Sequence, residues 1–187
     1  NESYFVVFSN NDKIEKNDEC NKISLFTVDT IKANWKIDFD SIYGGPSKSF
    51  FIDSLISLDE INIERIKYYS GTCVYSNNFI FNKLRYNNNK VYLNLGTVKD
   101  IAEVRLNGVL CGVAWTYPYF IDITDALTDG ENILQIAVTN TWTNRLIGDY
   151  KLPQNNRITW TNTSIKFEEI NLLKSGLLGP VVIQIEK

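Results

Sequence analysis

The sequence predicts an all-β fold, a two-sheet β-sandwich with jelly-roll connections. Three observations predict it. Apolar and polar residues alternate with a period of two in five separate segments, as in strands with one buried and one wet face. Glycine, asparagine and proline punctuate the intervals between those segments, and no stretch of helical length carries a 3.6-residue apolar stripe. An immunoglobulin-like sandwich is the second choice, disfavoured because its Cys-Trp-Cys spacing is missing.

Residues 1–30 stand apart: YFVVF reads as a strand, and NNDKIEKNDECNK is polar and turn-rich. This segment reads as a strand and polar hairpin, with a preceding domain as its candidate origin, and residues 31–187 read as the sandwich. In ANWKIDF, Trp35, Ile37 and Phe39 share one face opposite Asn34, Lys36 and Asp38. Gly44-Gly45-Pro46 ends that run. The best helical candidate, LDEINIERI at 58–66, is too short to carry a helix. After Asn87-Asn88-Asn89, VYLNL sets Val91, Leu93 and Leu95 against Tyr92 and Asn94, and AEVRLN sets Ala102, Val104 and Leu106 against Glu103, Arg105 and Asn107. Asn107-Gly108 predicts a two-residue hairpin, because both residues tolerate the positive φ that a type I′ turn requires. It joins AEVRL to VLCGVAW. DITDAL at 122–127 predicts one turn capped by Thr124 or Asp125. NILQIAVT opposes Leu134, Ile136 and Val138 to Gln135, Ala137 and Thr139; after Gly179-Pro180, VVIQIE opposes Val181, Ile183 and Ile185 to Gln184 and Glu186. Between these two strands, NTWTNRLIGDY at 140–150 reads as a polar corner at a strand end.

Composition excludes several functions. With 187 residues, 44% hydrophobic and 22% charged, the chain is the size of one domain with a substantial core. A net charge of -3 with cations scattered among acids offers no field for nucleic acid, and no apolar run approaches the roughly 18 residues of a membrane helix. Histidine is absent, which removes Ser-His and Cys-His catalysis and nearly every zinc site. With Asn1 first and no methionine, the sequence reads as a processed or excised piece. Cys20, Cys73 and Cys111 form no C-x-x-C spacing and cannot all pair, so buried thiols are expected rather than disulfides.

Carboxylate chemistry survives these exclusions. Glycoside hydrolysis needs two carboxyls about 5–5.5 Å apart for retention or about 6.5–9.5 Å apart for inversion. Asp149, Glu168 and Glu169 are the acids in polar, aromatic surroundings, yet they form no recognisable catalytic motif, and no catalytic pair is expected. DITDALTDGEN clusters Asp122, Asp125, Asp129 and Asn132, oxygen donors of the kind calcium takes, without EF-hand spacing. A structural calcium is therefore a secondary candidate to a capped turn, and no other cofactor is expected. Sugar binding pairs aromatic faces with convergent polar groups. Trp115, Tyr117, Tyr119, Trp142 and Trp160 supply rings; Asn140, Asn144, Arg145 and Asp149 supply polar arms. The same residues also suit a sandwich core and a corner that satisfies its own backbone, and both readings stand.

Four segments together carry a resemblance: YYSGTCVY at 68–75, VYLNLGTVKDIAEVRLNGVLCGVAWTYPYFIDITDALTDGENILQIAVTN at 91–140, TWTNRLIGDYKLP at 141–153 and SGLLGPVVI at 175–183. Residues 35–187 resemble the galactose-binding-like jelly-roll domain of glycoside hydrolases. The likeness is nearest to the C-terminal region of family 106 α-L-rhamnosidases, with family 2 sugar-binding domains more distant. Two departures are Cys73, where a small residue is expected, and Tyr117 before Pro118, where a second proline is common. The resemblance implies a non-catalytic accessory domain whose partner is the catalytic domain of the same polypeptide, with glycans as a second candidate partner. It also implies secretion or a bacterial periplasmic location. Trp115, Tyr117, Trp142, Asn144, Arg145, Asp149 and Trp160 become candidates for carbohydrate or interdomain contact, with Arg145 and Asp149 expected to brace a loop. An autonomous carbohydrate-binding module or lectin is the alternative.

Overall fold

The computed structural model describes residues 24–32, 34–86 and 89–186; the YFVVF segment, the polar run after it, Cys20, Asn87, Asn88 and the side chain of Glu168 lie outside the described residues. The strands are β1 (Leu25–Thr30), β2 (Trp35–Phe39), β3 (Phe50–Ile52), β4 (Thr72–Phe81), β5 (Val91–Asn94), β6 (Thr97–Lys99), β7 (Ile101–Leu106), β8 (Val109–Ala114), β9 (Phe120–Asp122), β10 (Gly130–Thr139), β11 (Gly176–Gly179) and β12 (Val182–Glu186). One sheet has the order β1-β12-β5-β9, the second β3-β2-β4-β10-β7-β8, and β11 pairs with β6 in a short ribbon. Every strand pair is antiparallel.

The two sheets meet through the faces that the alternation marks. Trp35, Ile37, Ala102, Val104, Leu106, Leu134, Ile136 and Val138 from the larger sheet share one buried cluster with Val91, Leu93, Ile183 and Ile185 from the smaller. Facing apolar surfaces of two sheets exclude water only by interdigitating, which is the energetic reason for the sandwich. The longest ladder is β10 on β4, from Gly130 opposite Phe81 to Thr139 opposite Thr72. Leu25–Thr30 lies on β12 as the edge strand of the smaller sheet, so residues read from sequence as part of the N-terminal segment hydrogen-bond to the last strand.

Several local expectations hold, and others are corrected. Asn107 (φ 52°) and Gly108 (φ 80°) both take positive φ at the β7–β8 hairpin, as a type I′ turn requires. Tyr92, expected to face outward, is buried: the Phe120 ring covers it edge-on at 5.7 Å and its hydroxyl donates to Glu186 Oε2 at 3.3 Å. In DITDAL the capping side chain is Asp122, two residues before Thr124 and three before Asp125, its sequence candidates, and it accepts from Thr124 N at 3.0 Å. LDEINIERI divides into a 3-10 turn, Leu58–Glu60, and a single helical turn, α1 (Glu64–Lys67). The corner at 140–150 is a second helix, α2 (Thr143–Tyr150). Its buried face consists of Asn144, Arg145, Ile147, Gly148 and Asp149, so a search for apolar periodicity passes over it.

Cys73 and Cys111 are free thiols, Cys73 buried and Cys111 partly exposed. Burial pushes the Cys73 thiol up to about 12. Because the thiolate is the reactive form, iodoacetamide at pH 8 is expected to leave Cys73 unmodified in the native chain and to alkylate it after urea unfolding. Peptide mass mapping checks this, and native labelling at Cys73 would contradict its burial.

Candidate functional site

Strand direction gathers the candidate residues at one end of the larger sheet. Thr139 ends β10 opposite Thr72, the start of β4, and opposite Ile101, the start of β7. Phe39 ends β2 opposite Cys73, and Ala114 ends β8 opposite Ala102. Segments 40–46, 68–71, 115–119 and 140–161 therefore all attach at that end.

Asn140 closes the corner. Its Nδ2 donates to Tyr69 O at 2.9 Å, its Oδ1 accepts from Gly71 N at 2.8 Å, and its own N–H donates to Gly71 O at 3.2 Å. Both ends of the side chain, read from sequence as a polar arm for sugar, are thus engaged inside the protein. Beneath it, the Tyr69 hydroxyl donates to Thr72 O at 2.6 Å and accepts from Asp40 N at 3.2 Å. Burial pushes this phenol up to about 12, so it stays a donor at any physiological pH.

Helix α2 is held by polar contacts on its buried face. Asn144 donates Nδ2 to Leu173 O at 2.7 Å and accepts from Leu173 N at 2.8 Å, the same pair of bonds that a neighbouring strand would offer. Arg145 N donates to Ser70 Oγ at 3.1 Å. Asp149 Oδ2 accepts from Ile158 N at 3.0 Å, Thr159 N at 2.7 Å and Thr159 Oγ1 at 2.6 Å, which pins residues 158–159 against the helix. Its Oδ1 lies 3.5 Å from Arg145 Nη1, the two side chains being 3% and 7% exposed. The side chains of Asn144 and Asp149 are therefore engaged inside the protein, and Asp149 ties residues 158–159 to the helix. Both lie beneath the surface, so Asn144 and Asp149 do not present polar groups to a partner.

The aromatic candidates lie outside. Trp115 and Tyr117 are each 72% exposed, Trp142 45% and Trp160 83%. Trp142 packs edge-on against Tyr43 at 5.6 Å, and Tyr117 against Tyr119 at 6.5 Å. On one side of α2, two adjoining hollows of about 300 and 340 Å³ share Leu146, Thr159, Trp160 and Thr161, and Trp142 lines the second. On the other side a cleft of about 420 Å³ opens between α1, α2 and the 41–44 turn, with Arg145, Arg65 and Lys151 in its wall. Trp115 and Tyr117 line neither the hollows nor this cleft. Sequence reasoning missed Ser70, Thr159 and Arg65, because nothing local marks residues that only the fold brings to α2, and it passed over Lys151, which directly follows the helix.

At the Asp122–Asn132 turn Asp122 accepts from Thr124, and Asn132 is engaged internally. Asn132 is fully buried; its Oδ1 accepts from Asn107 Nδ2 at 2.8 Å and Thr128 N at 2.9 Å, and its Nδ2 donates to Thr128 O and Gly130 O. Among the described residues no three His, Cys, Asp or Glu side chains come together in a way that could hold a metal ion.

Comparison with known proteins places this architecture. The family model of the glycosyl hydrolase 2 galactose-binding domain-like group matches residues 48–169. A rhamnosidase from Novosphingobium sp. PP1Y is 35% identical in sequence, with a TM-score of 0.82 over 95% of this chain and 16% of its own. A protein named as a putative β-glucuronidase, from Formosa agariphila, is 38% identical over 83% of this chain and 15% of its own length. A β-D-glucuronidase from Dictyoglomus thermophilum, 19% identical, shares the fold with a TM-score of 0.60 over 90% of this chain and 29% of its own. The chain thus spans about a sixth of the first two proteins. On the family match and the rhamnosidase likeness together, the chain belongs to the glycosyl hydrolase 2 galactose-binding domain-like family.

Proposed function

We propose that this chain serves as a non-catalytic accessory domain of a larger, secreted or periplasmic glycoside hydrolase of the rhamnosidase type, and that it packs against the catalytic domain of the same polypeptide. One observation carries the reading: the Novosphingobium rhamnosidase and the Formosa agariphila protein match most of this chain, which spans only 16% and 15% of them. The exposed apolar side chains around α2 support the reading. Trp142, Ile158 and Trp160 lie within one stretch of chain at one end of the sheet, and contiguous exposed apolar surface of this kind marks contact with another body. Among the described residues no helix is long and apolar enough to cross a membrane.

The test compares the isolated chain with the complete polypeptide. The isolated chain is expected to release no aryl aglycone from a rhamnoside or glucuronide, whereas the complete polypeptide is active. Trp160→Ala should leave the isolated chain within about 0.5 kcal/mol of the parent, as for an exposed side chain, yet lower the melting temperature of the complete polypeptide. Turnover by the isolated chain, or no effect of Trp160→Ala in the complete polypeptide, would overturn the reading.

A further inference from the structure

We propose that the cleft between α1, α2 and the 41–44 turn binds the carboxylate of an acidic sugar. Arg145 is the starting point. It is buried, it lines the cleft, and its Nε and Nη2 have no hydrogen-bond partner. Its counter-ion answers it poorly: Asp149 Oδ1 stands 3.5 Å from Nη1, well beyond the roughly 2.7–2.9 Å of a charge-assisted bond, while Oδ2 is taken by three other donors. A guanidinium carries five N–H donors in a fixed fork that matches a carboxylate. Buried donors without partners are rare in folded proteins and call for an explanation.

The surroundings supply the rest of an anion site. Arg65 and Lys151 line the same cleft, and Glu64 is the one acid among its lining residues. Lys151 is anchored by its hydrogen bond to the Tyr68 hydroxyl at 2.9 Å and lies over that ring at 5.0 Å. In a chain of net charge -3 this is a local cationic concavity, and low-dielectric walls focus such a field. Gly44 lets the 41–44 turn approach Arg145 and Ile158 closely: a Cβ there would stand 3.3 Å from Nη2 and 2.4 Å from Ile158 Cδ1, and its φ of +79° disfavours any side chain.

The size of the cleft selects the bearer of the carboxylate. At about 420 Å³ it lies within the range of small-ligand sites, roughly 300–1,000 Å³, and an acidic side chain from another protein would leave most of it empty. The exposed Ser41 hydroxyl and the apolar rim of Ile42 and Ile158 suit the hydroxyls and the C–H face of a sugar ring. The choice of a saccharide rests on the proposed role within a glycoside hydrolase; the anion chemistry does not.

Amide NMR of the ¹⁵N-labelled chain, titrated separately with glucuronate, galacturonate, glucose, galactose and acetate, tests the proposal. A uronate should shift the amides of Arg65, Arg145 and Lys151 saturably, with the matching neutral sugar and acetate each at least about tenfold weaker, a gap of about 1.4 kcal/mol. Added salt should weaken uronate binding. Because replacing Arg145 endangers folding, the variant is Arg65→Gln with Lys151→Gln, both exposed, and it should lose uronate binding by a similar factor while keeping the native spectrum elsewhere. Absence of saturable uronate shifts overturns the proposal, as do equal affinity for the neutral sugars, equal affinity for acetate, or unchanged binding by the double variant. The measurement needs no catalytic domain, so its failure is separate from failure of the accessory-domain reading.

Discussion

Replacing Asp149 with alanine is expected to destabilise the chain by about 3–5 kcal/mol, the range for removing one partner of a buried charge pair. Two losses combine. Ile158 N, Thr159 N and Thr159 Oγ1 lose the acceptor Oδ2, and Arg145 is left buried without its one counter-ion. At about 2–4 °C per kcal/mol for a domain of this size, the melting temperature should fall by roughly 10 °C. Asp149→Asn should cost less, because an amide oxygen can still accept from residues 158–159. The mechanism makes a further demand: removing the charge of Arg145 as well, in Arg145→Met with Asp149→Asn, should recover part of the loss. A melting curve for Asp149→Ala that overlays the parent would show that the loop is held by something else.

Gly148→Ala has an expected sign opposite to its local propensity. Within an exposed helix the change gains about 1 kcal/mol, since glycine is the poorer helix former. Here the new methyl would stand 2.7 Å from both Cβ and Cγ of Tyr68, atoms fixed close to the backbone that cannot swing aside. Overpacking of this kind costs about 1–3 kcal/mol, so the urea midpoint should fall rather than rise. Tyr68→Gly in the same background, which removes both atoms, should relieve the collision and reverse the sign of the alanine effect. A stabilised Gly148→Ala chain would mean that α2 does not approach residue 68 as closely as the structure has it.

Both variants probe the region that was least legible in the sequence. The strands were readable because a half-buried strand writes its environment into every second residue: β10 buries Asn132, Leu134, Ile136 and Val138 in strict alternation. The β7–β8 hairpin was readable because Asn107-Gly108 states its own backbone angles. Tyr92 escaped because what covers it, Phe120, comes from another strand. Helix α2 escaped for a related reason: its buried face is mostly polar, and the groups that bond the Asn144 and Asp149 side chains inside the protein belong to residues 158, 159 and 173. Pattern rules equate burial with apolarity, and at this corner burial follows from hydrogen bonding across distant segments.

The sequence by itself therefore determined the fold class, the strand faces, the hairpin turn and, through its motif series, the resemblance to a glycoside hydrolase accessory domain. Each of these is recorded in near neighbours along the chain. Only the tertiary structure decided that Asn144, Arg145 and Asp149 lie inside while Trp115, Tyr117, Trp142 and Trp160 lie outside. It alone brought Arg65 to the cleft that Arg145 and Lys151 line, because the end of a sandwich collects loops from strands far apart in sequence. Whether a polar side chain there is engaged or free depends on partners that no local pattern names.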